Sequence, residues 1–397
     1  MEHDKVMKKK MLIVASIPFG PVQRGNQKLI SDNIKLFQKL GCEVDYLYVG
    51  IFNGIEQEYM REIVGIEHLF WVDKGNLHKK KTARERIRLF ISNSSLRNKV
   101  AIPYTIDELC PKELVEEVRS LYLKNKYDII WVEYVFLSLV LTFLDDKVFK
   151  VIETIDKSTG RSKEFLKENL EPAGFYTTYY NEKKGLKRAD CILSIQKDEE
   201  RFFKKMLGQR SKIPIRTYSG LLSPKSFPLQ KEKTVLFVGT KYSFNQYALE
   251  WFLEFVWHAV KKKIPQADLY IVGRVCENIP DSNQYFKMGF VEDLEALYAS
   301  ARIVVNPVQG GNGMNIKMIE AIAHAKPIVS TTSGSRGINY SKEIYKCADD
   351  AEDFAKEVIR LLNDDRECEM LSQNCLEFVS QYNIQNEKVL KEVLQVG

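Results

Sequence analysis

Short apolar runs alternate with longer amphipathic stretches along the chain, and this alternation limits the possible folds more than any other feature. Runs that are apolar on both faces are typical of parallel strands covered by helices on each side. They occupy residues 11–16, 44–49, 128–134, 150–155, 190–195, 234–239, 268–273, 302–306 and 327–331. Helical periodicity occurs at residues 27–40, 111–124, 199–206, 245–263, 292–300, 315–325, 351–362 and 366–396. The pattern predicts an α/β fold with two doubly wound Rossmann-like domains that face a cleft.

A polar stretch divides the alternation into two halves. Residues 219–233 (SGLLSPKSFPLQKEK) carry two prolines and precede a new apolar run, in a chain of 397 residues that is too long for one ordinary domain. We therefore expect an N-terminal domain over residues 1–220 and a C-terminal domain over 221–380. The last helix, residues 381–397, is expected to pack back on the N-terminal domain. In doubly wound sheets ligands bind beyond the carboxyl ends of the strands.

Composition excludes several classes of protein. Lys plus Arg is 59 and Asp plus Glu is 53, and the resulting net charge of +6 is low for a dedicated nucleic-acid binder. The longest apolar stretch, residues 135–144, is about half the length that a transmembrane helix needs. Single cysteines without a CxxC pair indicate reduced thiols and a cytoplasmic protein. Histidines without metal-binding spacing predict that the protein has no metal site and no cofactor.

The segment 306–331 (NPVQGGNGMNIKMIEAIAHAKPIVST) carries the strongest functional signal. A strand is followed by a glycine-rich loop, and a helix begins near Asn315. Glycine amides and a helix N-terminus together favour the binding of a phosphate. Lys317 lies in the first turn and Glu320 on the same face, which suits a diphosphate and a ribose diol. Spacing alone also allows a structural turn with a surface Lys–Glu pair.

These residues and their surroundings resemble the donor-binding domain of GT-B glycosyltransferases, specifically the retaining family four. The family pattern GxGxxxKxxEAxAxGxPVVST is similar to residues 311–331. VLFVGTKYSFNQYALEWF (235–252), ADLYIVGR (267–274) and MGFVEDLEALYASARIVVNP (288–307) resemble the segments that precede it, and the resemblance continues to residue 364. It implies transfer from a nucleotide-diphosphate sugar with retention of anomeric configuration. The donor-binding residues that it implies are Gly239, Thr240, Arg274, Phe290, Val291, Gly311, Asn312, Gly313, Met314, Asn315, Lys317 and Glu320.

The N-terminal half resembles the family's acceptor domain more loosely. The resemblance implies acceptor contacts from Gly25, Asn26, Glu133, Asp156 and Arg161, and it adds Asp156 to Lys317 and Glu320 as catalytic residues. Two positions depart from the family: Ile155 replaces a histidine, and Asn312 replaces the first of two glutamates. Both departures leave the donor sugar open and allow a non-catalytic homologue. Arg274 has an alternative role as a solvated turn residue.

Residues 77–100 (LHKKKTARERIRLFISNSSLRNKV) form a basic amphipathic segment. Eight basic side chains are accompanied by a single acidic one, Glu85, and by a short apolar cluster. Such a segment suggests contact with an anionic membrane surface or with a lipid-linked acceptor. A solvated basic face is the alternative, and nucleic acid is a poorer one because no aromatic residues interleave with the charges. The basic residues are Lys79, Lys80, Lys81, Arg84, Arg86, Arg88, Arg97 and Lys99.

Together these features predict a metal-independent glycosyltransferase that moves a sugar from a nucleotide-diphosphate sugar to a glycan or lipid-linked acceptor. The expected setting is bacterial surface polysaccharide or glycoconjugate synthesis, in the cytoplasm or at the inner face of the cytoplasmic membrane. Two alternatives remain open: a GT-B-like sugar-nucleotide epimerase, and a non-catalytic protein that binds nucleotide sugars. The scarcity of histidine, five in the chain, counts against the epimerase.

Overall fold

The computed structural model describes residues 9–22, 25–51, 53–73, 82–310, 314–340 and 342–396. The chain divides into two compact units. Unit 1 comprises Met1–Gly220 and Asn386–Gly397, and unit 2 comprises Leu221–Gln385.

In the described part of unit 1, a seven-stranded parallel sheet has the order β3-β2-β1-β4-β5-β6-β7. Its strands are β1 (Lys10–Ala15), β2 (Glu43–Gly50), β3 (Leu69–Asp73), β4 (Ile129–Glu133), β5 (Phe149–Glu153), β6 (Cys191–Ser194) and β7 (Ile215–Thr217). The helices are α1 (Gly25–Lys39), α2 (Gly54–Val64), α3 (Ala83–Ser92), α4 (Lys112–Asn125), α5 (Arg161–Lys167), α6 (Tyr179–Leu186) and α7 (Lys197–Leu207). Ile66–His68 and Val135–Phe143 are 3-10 turns.

The described part of unit 2 contains a six-stranded sheet with the order β10-β9-β8-β11-β12-β13. Its strands are β8 (Thr234–Val238), β9 (Asp268–Val272), β10 (Phe286–Gly289), β11 (Ile303–Asn306), β12 (Ile328–Ser330) and β13 (Lys346–Cys347). The helices that lie wholly in unit 2 are α8 (Ser243–Trp251), α9 (His258–Lys263), α10 (Glu295–Ser300), α11 (Ile316–Ala323) and α12 (Ala351–Asn363). Helix α13 (Asp365–Val396) begins in unit 2, and its residues from Asn386 onward belong to unit 1. Phe252–Trp257 is a π-helical turn and Arg274–Asn278 a 3-10 turn.

Strand β1 shows why the apolar runs become central strands. Leu12 and Val14 belong to the hydrophobic cluster on one face of the sheet, whereas Met11, Ile13 and Ala15 belong to the cluster on the other. Because side chains alternate along a strand, a run that is apolar throughout satisfies both faces only when helices cover both. This burial confirms the doubly wound α/β fold that the sequence predicts.

The structure contains all nine predicted strands, together with four strands that the sequence analysis missed: β3, β7, β10 and β13. All four lie at sheet edges, where one neighbour is lacking, and β13 has only two residues. The predicted helix over 292–300 begins instead at Glu295, and the one over 245–263 is interrupted by the π-helical turn. The long helix α13 contributes Leu390 and Val393 to the core of unit 1.

Candidate functional site

The predicted phosphate loop joins strand β11 to helix α11. Gly311, Asn312 and Gly313 lie outside the described residues, whereas Met314 and Asn315 lead directly into the helix. Asn315 is the N-cap residue, but its side chain makes no capping hydrogen bond to the helix. Its Nδ2 donates instead to Oδ1 of Asn306, at 3.1 Å, and so ties the helix start to the end of β11. The first turn of α11 contains no acidic residue, so the positive end of the helix dipole is not neutralised locally.

Lys317 lies in the first turn of α11, as the sequence predicts. Its Nζ donates to Oδ1 of Asn245, 2.5 Å away, and Nδ2 of Asn245 donates to both oxygens of Thr240, each at 3.1 Å. These bonds connect Lys317 to the turn that follows β8. Burial lowers the pKa of Lys317 to about 7. Among the described residues no carboxylate pairs with this ammonium, and its hydrogen-bond partner is the neutral amide of Asn245.

Glu320 lies one turn further along the same helix and is half-buried. The Tyr298 hydroxyl donates to its Oε2 at 3.5 Å. Tyr298 is fully buried and stacks on His324, with ring centroids 4.2 Å apart. Burial and the negative charge of Glu320 both raise the pKa of Tyr298, so the tyrosine stays a hydrogen-bond donor to the carboxylate.

The turns after β8 and β9 bring further predicted residues together beyond the carboxyl ends of these strands. A Cβ added at Gly273, whose φ is 98°, would lie 2.2 Å from the carbonyl oxygen of Gly239, so this close approach requires glycine. Gly273 N–H also donates to the Gly289 carbonyl, 2.6 Å away, which places the end of β10 beside them. Phe290 follows there, with half of its surface exposed, and Val291 packs against the apolar core.

Arg274 follows the carboxyl end of β9 but already has a partner. Its Nε donates to Oε1 of Glu277 at 2.9 Å, and Lys241 Nζ donates to the other oxygen at 2.9 Å. Hydrogen bonds from Lys241 and Arg274 lower the pKa of Glu277. A phosphate contact through Arg274 therefore competes with an ion pair, whereas Lys317 has no such competitor among the described residues.

The acceptor residues predicted in unit 1 lie on three elements. Gly25 and Asn26 open α1, and Asn26 Nδ2 donates to the Tyr134 hydroxyl at 3.0 Å. Arg161 and Asp156 form an ion pair, with Nη1 and Oδ2 3.0 Å apart. Burial and then the charge of Asp156 raise the pKa of Tyr134. Sequence analysis missed Tyr134, which has a left-handed backbone, with φ at 68°.

Glu133 differs from its expected role as an acceptor contact because it is 1% exposed. Its Oε1 accepts from Trp131 Nε1 at 3.1 Å, and the same indole donates to Glu153 Oε2 at 3.0 Å. Burial and the adjacent charge of Glu153 raise the pKa of Glu133 well above its usual range. The side chain therefore belongs to the core beneath the strand ends, and it is not available to a ligand in this structure.

The position of the missing histidine is also buried. Ile155 is 5% exposed and its φ is 55°, a left-handed backbone that branched residues rarely adopt. A side chain at this position points away from solvent. The loss of the histidine therefore removes no solvent-facing polar group from this conformation of the loop.

The described part of the basic segment contains helix α3, which begins with a capping box between Thr82 and Glu85. Arg88 does not serve as a surface charge, because it forms a two-pronged ion pair with Glu108 and lies 3.9 Å over the Tyr104 ring. The predicted set of eight free basic side chains is therefore too large. Lys79, Lys80 and Lys81 lie outside the described residues.

Large apolar side chains of α3 remain exposed beside Arg84 and Arg86. Ile87, Leu89 and Phe90 are 48%, 47% and 69% exposed. Among the helices that the structure describes, none has both the length and the apolar character needed to cross a bilayer. The described residues also contain no group of three or more His, Cys, Asp or Glu side chains arranged to hold a metal.

Comparison with solved structures identifies the architecture. The pneumococcal O-GlcNAc transferase GtfA, solved with UDP and GlcNAc, matches with a TM-score of 0.68 at 12% identity over 98% of this chain and 99% of its own. HepE of Anabaena, solved with UDP and glucose, gives 0.64 at 14% identity over 97% and 99%. Sucrose-phosphate synthase of Thermosynechococcus elongatus gives 0.66 at 14% identity over 98% and 100%. The protein thus has the two-domain α/β architecture of GT-B glycosyltransferases.

Sequence comparison agrees with the fold. Residues 232–364 match the model of the family Glycosyl transferases group 1. A Klebsiella pneumoniae protein described as an uncharacterised 44.6 kDa protein in the cps region is 26% identical over 307 residues, which are 70% of this chain and 76% of that protein. The family match and the structural neighbours together support a GT-B glycosyltransferase.

Proposed function

We propose that the protein transfers a glycosyl group from a nucleotide-diphosphate sugar to a glycan or lipid-linked acceptor. The observation that carries this proposal is the environment of Lys317. Its ammonium lies at the N-terminus of α11, bonded to the Asn245 amide, with no carboxylate partner among the described residues. A partly buried ammonium without a carboxylate partner among the described residues favours an anionic ligand, and the resemblance to group 1 glycosyltransferases supports a diphosphate as that ligand.

The same arrangement explains how transfer would be assisted. Negative charge grows on the nucleotide diphosphate as the bond to the sugar breaks. Lys317 and the amides at the start of α11 would stabilise that charge from fixed positions, which is the most effective form of electrostatic catalysis. Glu320, held by Tyr298, would accept hydrogen bonds from the ribose hydroxyls. These groups supply the positive charge for the leaving group, and we propose on this ground that the reaction needs no metal.

The finer parts of the proposal follow the family resemblance. Unit 1 would hold the acceptor near Asn26, Asp156 and Arg161, and transfer would retain the anomeric configuration. The similarity to the Klebsiella pneumoniae protein in a cps region supports a role in bacterial surface polysaccharide or glycoconjugate synthesis. The exposed face of α3, with Arg86 and Phe90, would contact an anionic membrane or a lipid-linked acceptor.

Titration with UDP, the nucleotide present in two structural neighbours, tests the proposal. We expect wild-type protein to bind UDP, and Lys317→Ala and Glu320→Ala to weaken binding roughly tenfold or more, because a hydrogen bond to a charged group contributes about 1.5–3 kcal/mol. Lys356→Ala is the matched control, because Lys356 is an exposed lysine of α12 that pairs with Glu352. This variant should bind UDP normally. Wild-type affinity in both site variants would contradict the assignment.

Product analysis separates the proposed activity from its alternatives. UDP-glucose and UDP-GlcNAc are incubated with the protein, and free UDP and the remaining sugar nucleotide are identified. A glycosyltransferase releases UDP as it passes the glycosyl group to an added acceptor or, without one, to water. An epimerase converts the sugar nucleotide to an isomer without consuming an acceptor, and a non-catalytic homologue binds UDP but does neither.

A further inference from the structure

The loop between β5 and α5 has, at Ile155, a backbone conformation that this residue type does not favour. Residues 154–160 connect the end of β5 to Arg161, and they include Asp156, which pairs with Arg161. Ile155 has a φ of 55° and Gly160 a φ of 84°. A left-handed backbone at a branched residue persists only where surrounding structure fixes it. The contacts that fix this loop therefore determine where Asp156 and Arg161 lie.

Glu182 provides two of those contacts. It belongs to the first turn of α6 and is 0% exposed. One carboxylate oxygen accepts the Ser158 amide N–H at 2.7 Å, and the other accepts the Thr159 amide N–H at 2.9 Å. The helix start is capped separately by Thr178, so the carboxylate of Glu182 serves the loop.

Glu199 provides the third contact, from the first turn of α7. Its Oε1 accepts the Lys157 amide N–H at 3.0 Å, and the side chain is 3% exposed. Its Oε2 has no hydrogen-bond partner within the described part of the chain. Burial and then the charge of Asp156 raise the pKa of Glu199 to about 8, so this carboxyl carries a proton at neutral pH.

Stability alone does not account for the two carboxyls. Buried acidic groups are costly to desolvate, and well-packed apolar residues of similar volume often stabilise a core better. Three consecutive amides, those of Lys157, Ser158 and Thr159, are bound by carboxyls from two different helices. Such convergence fixes the path of one loop, and that loop carries two residues of the predicted acceptor site.

We propose that Glu182 and Glu199 are positioning residues that hold the backbone of residues 157–159 and thereby set the places of Asp156 and Arg161. They act through the loop and do not touch the acceptor themselves. The proposal rests on the proposed function for the role of the loop, but its structural content can be tested without any substrate.

Two carboxyls with different hydrogen bonds predict different responses to substitution. Glu182→Gln places an amide NH₂ against a backbone N–H, so one of the two bonds is lost. Glu199→Gln keeps the oxygen that accepts from Lys157 and resembles the protonated acid, whereas Glu199→Ala removes the acceptor. Glu200→Gln is the matched control, because Glu200 is 8% exposed on the same helix turn but binds Lys204 and Thr217 and does not contact the loop.

Amide hydrogen exchange of the peptide that spans residues 154–161 is the primary measurement. We expect protection to fall about tenfold or more in Glu182→Gln, the scale of one charged hydrogen bond, and about threefold to tenfold in Glu199→Ala, the scale of one neutral hydrogen bond. Glu199→Gln and Glu200→Gln should keep near wild-type protection. The affinity for UDP, which is proposed to bind in unit 2, should not change in any of the four.

Initial rates of UDP release from UDP-glucose and UDP-GlcNAc provide the functional measurement. Glu182→Gln and Glu199→Ala should lower kcat about tenfold with little change in the donor KM, and Glu199→Gln should restore the rate. Unchanged exchange in the first two variants, equal disruption by Glu199→Gln, or faster exchange with unchanged rates would each overturn the proposal. If wild type releases no UDP, the proposed function fails, and the exchange pattern alone then decides whether the two glutamates hold the loop.

Discussion

Lys317 should take up a proton when the protein binds UDP. In the free protein burial lowers the pKa of Lys317 to about 7, so most molecules carry a neutral amine at pH 8. A diphosphate beside Nζ stabilises the charged form and raises the pKa on binding. A group with pKa 7 is about 10% charged at pH 8, so binding should take up about 0.9 proton there and only about 0.1 proton at pH 6.

The sign of the pH dependence follows from the same linkage. The bound state holds more protons than the free state above pH 7, so UDP affinity must fall as the pH rises. The expected loss is about tenfold for each pH unit between 7 and the pKa of the bound lysine. UDP itself contributes little at pH 8, because the second ionisation of a phosphate, near pH 6, is complete.

Calorimetry at pH 8 in HEPES and in Tris measures the uptake, because the two buffers differ in ionisation enthalpy and neither is a phosphate that could compete with UDP. Lys317→Gln should abolish the difference in binding enthalpy between the buffers. Lys241→Gln is the matched control: Lys241 follows the nearby Thr240 turn but is paired with Glu277. Uptake that is absent in wild type, that survives Lys317→Gln, or that disappears in Lys241→Gln would refute the reasoning.

Three further predictions address the metal, the membrane and the backbone. Sugar transfer should continue in excess EDTA; complete loss that Mn²⁺ or Mg²⁺ restores would show that a metal is required. Reversal of Arg86, Arg97 and Lys99 to Glu should release the protein from anionic vesicles at low and at physiological salt, because each basic side chain near such a surface contributes about 1 kcal/mol, and UDP affinity should stay constant; equal vesicle binding would favour a solvated basic face. Ala325 has a φ of 50°, a left-handed backbone that costs less for glycine than for alanine. Ala325→Gly should therefore reduce the free energy of unfolding by at least about 1 kcal/mol less than Ala321→Gly, which lies inside α11, and equal losses in chemical denaturation would show that Ala325 is unstrained.

The central strands could be predicted from sequence because nearly all of their residues are apolar, and this local property indicates burial on both faces. In β1 every position from Met11 to Ala15 is apolar, and a short run of this kind is typical of a strand that is covered on both faces. The edge strand β10 could not be predicted in this way. Its residues Phe286 and Met288 are half-exposed, and its pairing with β9 depends on a neighbour that lies more than ten residues away.

In the candidate site, too, features that depend on local sequence could be predicted, whereas contacts between distant residues could not. The positions of Lys317 and Glu320 follow from helical spacing, which is a local property. The bond from Lys317 to Asn245 spans 72 residues, and no local pattern indicates it. The sequence analysis missed the burial of Glu133. All five residues of β4 are buried, including this last one, because the strand is covered on both faces.

Long-range pairing also explains the misjudged charges. Arg88 looks like one member of a basic run, but Glu108, twenty residues away, forms an ion pair with it. Glu182 and Glu199 look like ordinary surface residues of helical first turns. Only the fold shows that they face the amides of a loop that lies more than twenty residues earlier in the chain.

A crystal structure of the protein with UDP tests the proposed donor site most directly. We predict that the diphosphate lies at the start of α11 with an oxygen about 3 Å from Lys317 Nζ, and that the ribose hydroxyls donate to Glu320. UDP bound at any other place, or at this place with its ribose away from Glu320 and its phosphates away from Lys317, would contradict the assignment.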